Sequence, residues 1–303
     1  MRSTCRRISS MAAILIMMSC AARPLRSQAA DPQSLAEIAK SFSGRMSVAA
    51  LHLESGRTLS LNEDQKVQTA SVIKLAIMVE AFHQAHEGKL SLDAKLTATE
   101  ADRVPGSGIL KDLSAVMELK LLDAIRLMIV LSDNEAANLV IDRVGVENVN
   151  KRMQGLGLKN TTLFRKVFAT PKEPQSEEAK KFGLGVTTPQ DMVLLLQHLA
   201  KGALISGAAS NQMIEIMKQQ RDRDGIPRCL GRLDLGGKVE VANKTGALNK
   251  VRNDVGIVFT PRGRVLVAIF CEDSGDEQWT ADNEATLAVA RASEFIVRRL
   301  LAP

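Results

Sequence analysis

Ser71 and Lys74 have the residue types and the spacing of a catalytic pair, and they open an apolar stretch with helical periodicity. Residues three positions apart lie on one face of a helix, about one turn from each other. A serine hydroxyl becomes a strong nucleophile when a base takes its proton, and a desolvated lysine can be that base. At a helix start, Ser71 would also sit beside N–H groups that favour developing negative charge. The pair is typical of acyl transfer through a serine nucleophile, and a capping serine beside a solvated lysine is the alternative.

Two polar tripeptides further along the chain could complete such a site. Ser132-Asp133-Asn134 falls between two helical patterns, where a short connection could project Ser132 and Asn134 into a cleft. Lys244-Thr245-Gly246 follows a β-prone segment, so we expect Lys244 and Thr245 at or near the end of a strand. Each tripeptide arises by chance in about one chain in ten or twenty. Three such motifs on suitable elements indicate one common site.

The elements that must position these motifs fall into two β regions separated by a long helical block. Short runs of β-prone residues on either side of a stretch of turn formers predict an early hairpin at residues 46–53 and 58–61. Similar runs predict late strands at 239–242, 255–259 and 265–270. Helical spacing predicts amphipathic helices at 31–41 and 281–301.

Residues 71–219 are dominated by the 3.6-residue periodicity of helices. Because the early hairpin cannot bury its apolar face alone, we predict one antiparallel sheet built from both chain ends and covered by the terminal helices. The expected fold class is α/β in the α+β arrangement, with an inserted all-helical lobe. The predicted sheet lobe comprises 31–68 and 220–303, and the predicted helical lobe comprises 69–219. Ligand sites favour the cleft between such lobes.

The three motifs and the order of the elements resemble those of class A β-lactamases and penicillin-binding proteins. The resemblance covers nearly all of residues 31–303, which form the predicted serine hydrolase domain. It implies that Ser71 is the acylated nucleophile, that Lys74 accepts its proton, and that Ser132 passes a proton to the leaving nitrogen.

The same resemblance implies the substrate-binding residues. Asn134 would hold Lys74 and the substrate amide, while Lys244 and Thr245 would bind the substrate carboxylate. Gly246 belongs to the same substrate-binding motif, and the backbone N–H groups of Ala247 and Ser71 would form the oxyanion hole. Arg252 could assist carboxylate binding or be an ordinary surface arginine.

The base that would activate the deacylating water is ambiguous in this sequence. In class A β-lactamases this base is a loop glutamate between an arginine and a Thr-Thr-Pro-like element. Counting from Arg165 places Val167 at that position, whereas counting back from Pro189 brings Glu173 to within about one residue. Glu173 is therefore the candidate catalytic glutamate, and a solvated loop face is its alternative.

Three functions follow from the resemblance. The first is a β-lactamase that opens β-lactam amides through an acyl-enzyme at Ser71, an activity that gives antibiotic resistance. The second is a D-alanyl-D-alanine peptidase, transpeptidase or esterase with slow β-lactam deacylation, and the third is a penicillin-binding sensor domain without turnover. The expected partner is a small-molecule β-lactam or a peptidoglycan stem peptide. We expect a monomer without a cofactor. We also expect no metal site, since the two histidines that lie one turn apart, His83 and His86, lack a nearby third ligand.

Residues 1–30 have the pattern of a secretory signal peptide, with a basic start, a short apolar run and small residues. This predicts an exported protein, periplasmic or secreted, while Cys20 leaves open a lipoprotein anchor. Removing this leader lowers the formal net charge from +6 to +1, because the leader holds five arginines and no acidic residue. A nearly neutral domain argues against nucleic acid as a partner. Cys229 and Cys271 remain, and we favour two packed thiols over a bridge.

Overall fold

The computed structural model describes residues 34–114, 116–171 and 174–302, so the predicted leader lies outside the described residues. Ten strands are present in this part of the chain: β1 Arg45–His52, β2 Thr58–Leu61, β3 Val67–Gln68, β4 Lys95–Ala98, β5 Met117–Lys120, β6 Thr162–Leu163, β7 Gly185–Thr187, β8 Glu240–Leu248, β9 Val251–Thr260 and β10 Gly263–Glu272. Ten α-helices accompany them there: α1 Leu35–Lys40, α2 Lys74–His86, α3 Leu121–Val130, α4 Asn134–Val144, α5 Val146–Gly155, α6 Glu177–Phe182, α7 Pro189–Ala200, α8 Gly207–Lys218, α9 Pro227–Leu230 and α10 Glu284–Leu300.

The principal sheet is antiparallel and has the strand order β2-β1-β10-β9-β8. Strand β1 pairs with β10 along its whole length, which places Val48 opposite Ile269. The prediction of one sheet built from both chain ends is thus confirmed. β8 was predicted to end at residue 242, and this boundary is wrong. Its pairing with β9 continues as far as Leu248 opposite Val251, so Lys244 and Thr245 lie inside the strand.

One face of this sheet is covered by the two terminal helices. Leu35 of α1 and Ile296 of α10 are buried against sheet residues such as Val267. Helix α1 begins with a capping box between Ser34 and Glu37, which satisfies N–H groups at its start. This layer stabilises the sheet and leaves its opposite face for the insertion.

The opposite face packs against the helices between β3 and β8, whose buried side chains join Ala268 and Phe270 of the sheet in one core. Helix α2 runs through this core, with Leu75, Ile77 and Met78 almost fully buried. The insertion also carries a β4–β5 pair and a small β3-β7-β6 sheet. These strands have two to four residues each, too short to show a periodicity that competes with the helical pattern.

Both cysteines of the described chain are buried free thiols, as the sequence analysis favoured. Burial raises the pKa of the Cys271 thiol, so this side chain behaves as a small apolar core residue. Within the described ranges, we find no helix that combines the length and the apolar character needed to cross a membrane.

Candidate active site

Ser71 lies in a 3-10 turn, Ala70–Ile73, that leads directly into α2. The residue before it, Ala70, has a φ of +44°, a left-handed conformation that is uncommon for a residue with a Cβ. Thr69 anchors the turn because its N–H and its hydroxyl both donate to the carbonyl of Gly185, each at 3.0 Å. The turn thus presents Ser71 at the start of α2, partly exposed and lining a cleft.

Gly246 allows strand β8 to approach this turn closely. A Cβ at Gly246 would lie 2.7 Å from the Thr69 carbonyl oxygen and 3.2 Å from the Ser71 nitrogen. Opposite Gly246 on β9, Asn253 donates from Nδ2 to the Gln68 carbonyl at 2.8 Å. Position 246 therefore requires glycine, because any side chain there would collide with the turn that carries Ser71.

Lys74 is fully buried, and its Nζ reaches across the cleft to the Ser132-Asp133-Asn134 segment. Nζ lies 2.7 Å from the Ser132 carbonyl, 2.8 Å from Asn134 Oδ1 and 3.3 Å from Ser132 Oγ. Burial lowers the pKa of Lys74 well below its usual value, and the nearby charge of Lys244 lowers it further, against the opposing effect of Asp133. A neutral amine could donate to the two nearest oxygens and keep a lone pair for a proton.

Ser132 is held in a left-handed conformation, with a φ of +56°, between α3 and α4. Asp133 fixes this connection because its carboxylate accepts from the N–H of Ala136 and from the N–H groups of Ile109 and Leu110. Asn134 donates from Nδ2 to the Pro105 carbonyl at 3.0 Å. The predicted cleft residues Ser132 and Asn134 thus sit on a short connection with defined geometry.

Lys244 meets the same hydroxyl from the other side of the cleft. Its Nζ lies 3.1 Å from Ser132 Oγ and 2.7 Å from the carbonyl of Thr245. Burial lowers the pKa of Lys244 to about 8, and the charges of Asp254 and Asp222 partly oppose that shift. Lys74 and Lys244 therefore differ in environment: both are desolvated, but carboxylates favour the charged form of Lys244 more.

Asp254 is a buried partner of this site that the sequence analysis missed. It lies on β9 opposite Thr245 and accepts from Asn243 Nδ2 at 2.9 Å and from the Ile226 N–H at 2.8 Å. Burial raises the pKa of Asp254 to about 7 in spite of these hydrogen bonds. Asp254 lies just before the strand predicted at 255–259, and because strand interiors are normally depleted in aspartate, the sequence gave only a weak signal that β9 includes it.

Two cavities meet at Ser71. The first has a volume of about 610 Å³ and is lined by Ser132, Thr245 and the charged segment at residues 221–224. The second has a volume of about 710 Å³ and includes Phe168 and Leu248 in its lining. Both cavities share Ser71, Ser107, Ala247 and Trp279. The cleft is therefore polar on one side of the nucleophile and largely apolar on the other.

Val167 contributes to the wall of the second cavity, next to Asn134 and Arg165. Its backbone is clamped by Asn138, which accepts from the Val167 N–H at 2.8 Å and donates to the Val167 carbonyl at 3.0 Å. No carboxylate is among the described residues that line this cavity. Glu173, the predicted alternative at this position, lies outside the described residues.

Arg252 is buried, so it is not an ordinary surface arginine. Part of its guanidinium is already hydrogen-bonded to backbone carbonyls and is not available to a substrate carboxylate. Arg252 is 9% exposed and donates to the carbonyls of Leu248, Val251 and Gln278. Its guanidinium also stacks on the Trp279 ring, 4.5 Å from the ring centroid. Sequence reasoning missed Trp279, although the one tryptophan of a chain poor in aromatic residues is a usable signal.

This site and fold define the class: an α+β protein with a serine at a helix start, a buried lysine beside it, and a second serine shared by two lysines. The chain belongs to the β-lactamase enzyme family, whose family profile matches residues 32–300. It is similar to a β-lactamase from Bacillus licheniformis, with 28% identity over 265 residues, 85% of this chain and 82% of the relative.

The fold is similar to that of solved members of this class. A β-lactamase from Sphaerobacter thermophilus superposes with a TM-score of 0.78 and 29% identity, covering 88% of this chain and 96% of that protein. A mutant of PBP-A, solved as an acyl-enzyme complex with penicillin G, superposes with a TM-score of 0.74 and 25% identity. That comparison covers 88% of this chain and 95% of PBP-A. The predicted resemblance to β-lactamases and penicillin-binding proteins is confirmed.

Proposed function

We propose that this chain opens β-lactam amides through an acyl-enzyme on Ser71. The observation that carries this proposal is the position of Lys74, which is fully buried and hydrogen-bonded to Ser132 and Asn134 one helical turn from Ser71. A buried amine with a lowered pKa is a base suited to a serine nucleophile near neutral pH.

In the proposed reaction, Ser71 Oγ attacks the lactam carbonyl carbon and its proton passes to Lys74. The carbon–nitrogen bond then breaks, and Ser132 delivers a proton to the leaving nitrogen. Lys74 Nζ lies 3.3 Å from Ser132 Oγ, so the proton taken from Ser71 can return to Ser132 through Lys74. Lys244, 3.1 Å from the same oxygen, keeps its charge and attracts the substrate carboxylate. The N–H groups of Ser71 and Ala247 are the proposed oxyanion hole. Thr245 would bind the carboxylate beside Lys244.

A second candidate keeps the nucleophile and changes the outcome: a D-alanyl-D-alanine peptidase, transpeptidase or esterase whose acyl-enzyme with β-lactams is hydrolysed slowly. Val167 favours this candidate, because an apolar side chain stands in the cavity next to Ser71 where deacylation needs a base. PBP-A, a structural neighbour, was solved with penicillin G as an acyl-enzyme in a variant that carries glutamate in place of leucine. Rapid turnover in the first candidate would need a base, and Glu173 is the residue that the sequence offers for it.

The test is to mix residues 31–303 with a chromogenic cephalosporin and record absorbance and intact mass together. Acylation predicts a mass increase located on Ser71, and turnover adds a continuing colour change. Ser71→Ala should abolish both signals. Ser107→Ala is the matched control, because Ser107 lines the same two cavities but lies in a loop and not at the start of a helix. Labelling that survives Ser71→Ala at the full rate would refute the proposal.

We also propose that the protein acts after export. The proposal rests on the pattern of residues 1–30. N-terminal sequencing of the natively produced protein tests it: a new N-terminus between Cys20 and Asp31 supports export, and a lipid on Cys20 selects the anchored form. Recovery of intact Met1 would overturn export.

A further inference from the structure

The apolar cavity beside Ser71 contains two large aromatic side chains that the fold leaves in solvent. Phe168 is 61% exposed and Trp279 is 64% exposed. Among eight phenylalanines, all in the described part of the chain, Phe168 alone is exposed, and Trp279 is the single tryptophan. Exposed apolar patches at a cleft mark binding surfaces more often than chance positions do.

Phe168 is held in place at a conformational cost. Its φ of +57° is unusual for a bulky residue. The Asn138 clamp on Val167 fixes the preceding residue, and the Phe168 ring lies beside Gly106, where a Cβ would come within 3.3 Å of it. Strained backbone that persists on an exposed aromatic residue points to a function for that side chain.

Arg252 positions Trp279 by stacking on one face of its ring. The guanidinium stacks 4.5 Å from the ring centroid and donates to the Gln278 carbonyl at 2.8 Å, which ties the tryptophan's segment to β9. The ring nevertheless keeps most of its surface open, and it lines both cavities. A preorganised aromatic ring binds a flat apolar group without losing much side-chain freedom.

The chemistry of the substrate assigns the two cavities to its two sides. In a β-lactam the carboxylate is attached next to the scissile nitrogen, and the acyl substituent lies on the opposite side of the scissile carbonyl. Thr245 and the charged segment at 221–224 line the polar cavity, so the carboxylate side belongs there. The acyl substituent then enters the apolar cavity with Phe168, Val167 and Leu248.

We infer that Phe168 and Trp279 form a binding site for a flat aromatic acyl substituent, which makes them specificity-determining residues of this enzyme. This inference rests on the proposed acylation of Ser71. It predicts that substrates with an aryl group on the acyl side react faster than otherwise identical substrates with a methyl group.

The experiment compares benzylpenicillin with the penicillin that carries acetyl in place of phenylacetyl, and measures the second-order rate of Ser71 acylation by intact mass. The aryl compound should react at least about tenfold faster, since burying a phenyl ring supplies more than the free energy of one decade. Phe168→Ala and Trp279→Ala should each reduce this ratio by about threefold or more. Val116→Ala, which truncates an exposed apolar residue outside both cavities, should leave the ratio at the wild-type value.

Equal rates for both penicillins, or a ratio unaffected by both aromatic variants, would overturn the aromatic site while leaving the acylation proposal intact. If neither penicillin labels Ser71, the acylation proposal fails instead. The aromatic site is then tested with phenylacetylglycyl and acetylglycyl thioesters of mercaptoacetate, whose hydrolysis reports the acyl-side preference without a lactam. A higher rate for the phenylacetyl thioester that falls in Phe168→Ala supports the site, and equal rates refute it.

Discussion

The two sides of Ser71 differ in their polar groups. On one side, Lys74, Ser132 and Lys244 form a connected set of short contacts between buried amines and one hydroxyl. On the other side, the described wall is formed largely by apolar side chains such as Val167 and Phe168. In the proposed reaction, formation of the acyl-enzyme uses the first set, and its hydrolysis needs a base and a water near the second side.

This difference assigns acylation and deacylation to opposite sides of Ser71. In the proposed reaction the first side supplies a base, a proton donor and a cation, which together are what acylation requires. The second side offers apolar area for binding an acyl group but no carboxylate among its described residues. Because the count from Arg165 places Val167 at the position of the deacylating glutamate, and Val167 lines this side, we expect fast acylation by β-lactams and slow release of the product.

Removal of the base should have the largest effect on this comparison. Lys74→Ala should slow acylation by about 10²–10⁴-fold, because general-base assistance has that typical size. Lys95→Ala, which removes an exposed lysine paired with Glu118, is the control and should leave the rate unchanged. Stopped-flow labelling with a fluorescent penicillin measures both. A change below threefold in Lys74→Ala would assign the base to another residue.

Adding a carboxylate to the apolar side should give that side the base that deacylation needs. Val167→Glu should speed deacylation by about tenfold or more, since a base at this position could activate water. Val167→Gln has the same size without the charge and should keep slow release, which isolates the effect of the carboxylate. The decay of the acyl-enzyme mass after removal of free penicillin measures the rate. Equal decay in both variants would show that position 167 does not reach the water.

The charge of Lys244 should determine the alkaline limit of acylation. Its pKa of about 8 means that the ammonium group is lost as the pH rises through that value, so attraction for the substrate carboxylate falls there. Asp254→Asn removes a carboxylate that favours the charged form and should move this limit to lower pH by about one unit. Lys244→Arg should move it upward, because a guanidinium stays charged. A pH–rate profile of acylation tests both shifts, and a limit unmoved by either variant would exclude Lys244 as its origin.

The smallest effect is expected from Glu173. If no carboxylate reaches the water, Glu173→Gln should change deacylation by less than about threefold, whereas loss of a working general base costs about 10²-fold or more. Intact-mass spectra taken seconds and minutes after mixing distinguish these cases. A Glu173→Gln protein that stalls fully acylated while the wild type turns over rapidly would make Glu173 the base.

The principal sheet and the first catalytic pair were predictable because their signals are local. The β-prone apolar runs of β1 and β10 and the spacing of Ser71 to Lys74 are contained in short stretches of sequence. The extension of β8 was not predictable, since Asn243, Lys244 and Gly246 weaken the strand signal and pairing with β9 overrides it.

The remaining site features depend on contacts between distant segments. Asn253 donates a hydrogen bond to the Gln68 carbonyl, which lies 185 residues earlier in the chain. Arg252, near the start of β9, stacks on Trp279, which follows β10. Asp254 becomes a site residue only when β9 pairs with β8. None of these relations leaves a periodic or contiguous pattern that a single sequence displays.

Intact-mass measurement of the wild-type protein with benzylpenicillin tests the central difference between the two sides most directly. Fast acylation with slow release predicts that one adduct on Ser71 accumulates to nearly the whole protein within seconds and persists for minutes. Ser71→Ala should show no adduct under the same conditions. Rapid consumption of benzylpenicillin by the wild type without a detectable adduct would contradict slow release and would place a working deacylating base in this cleft.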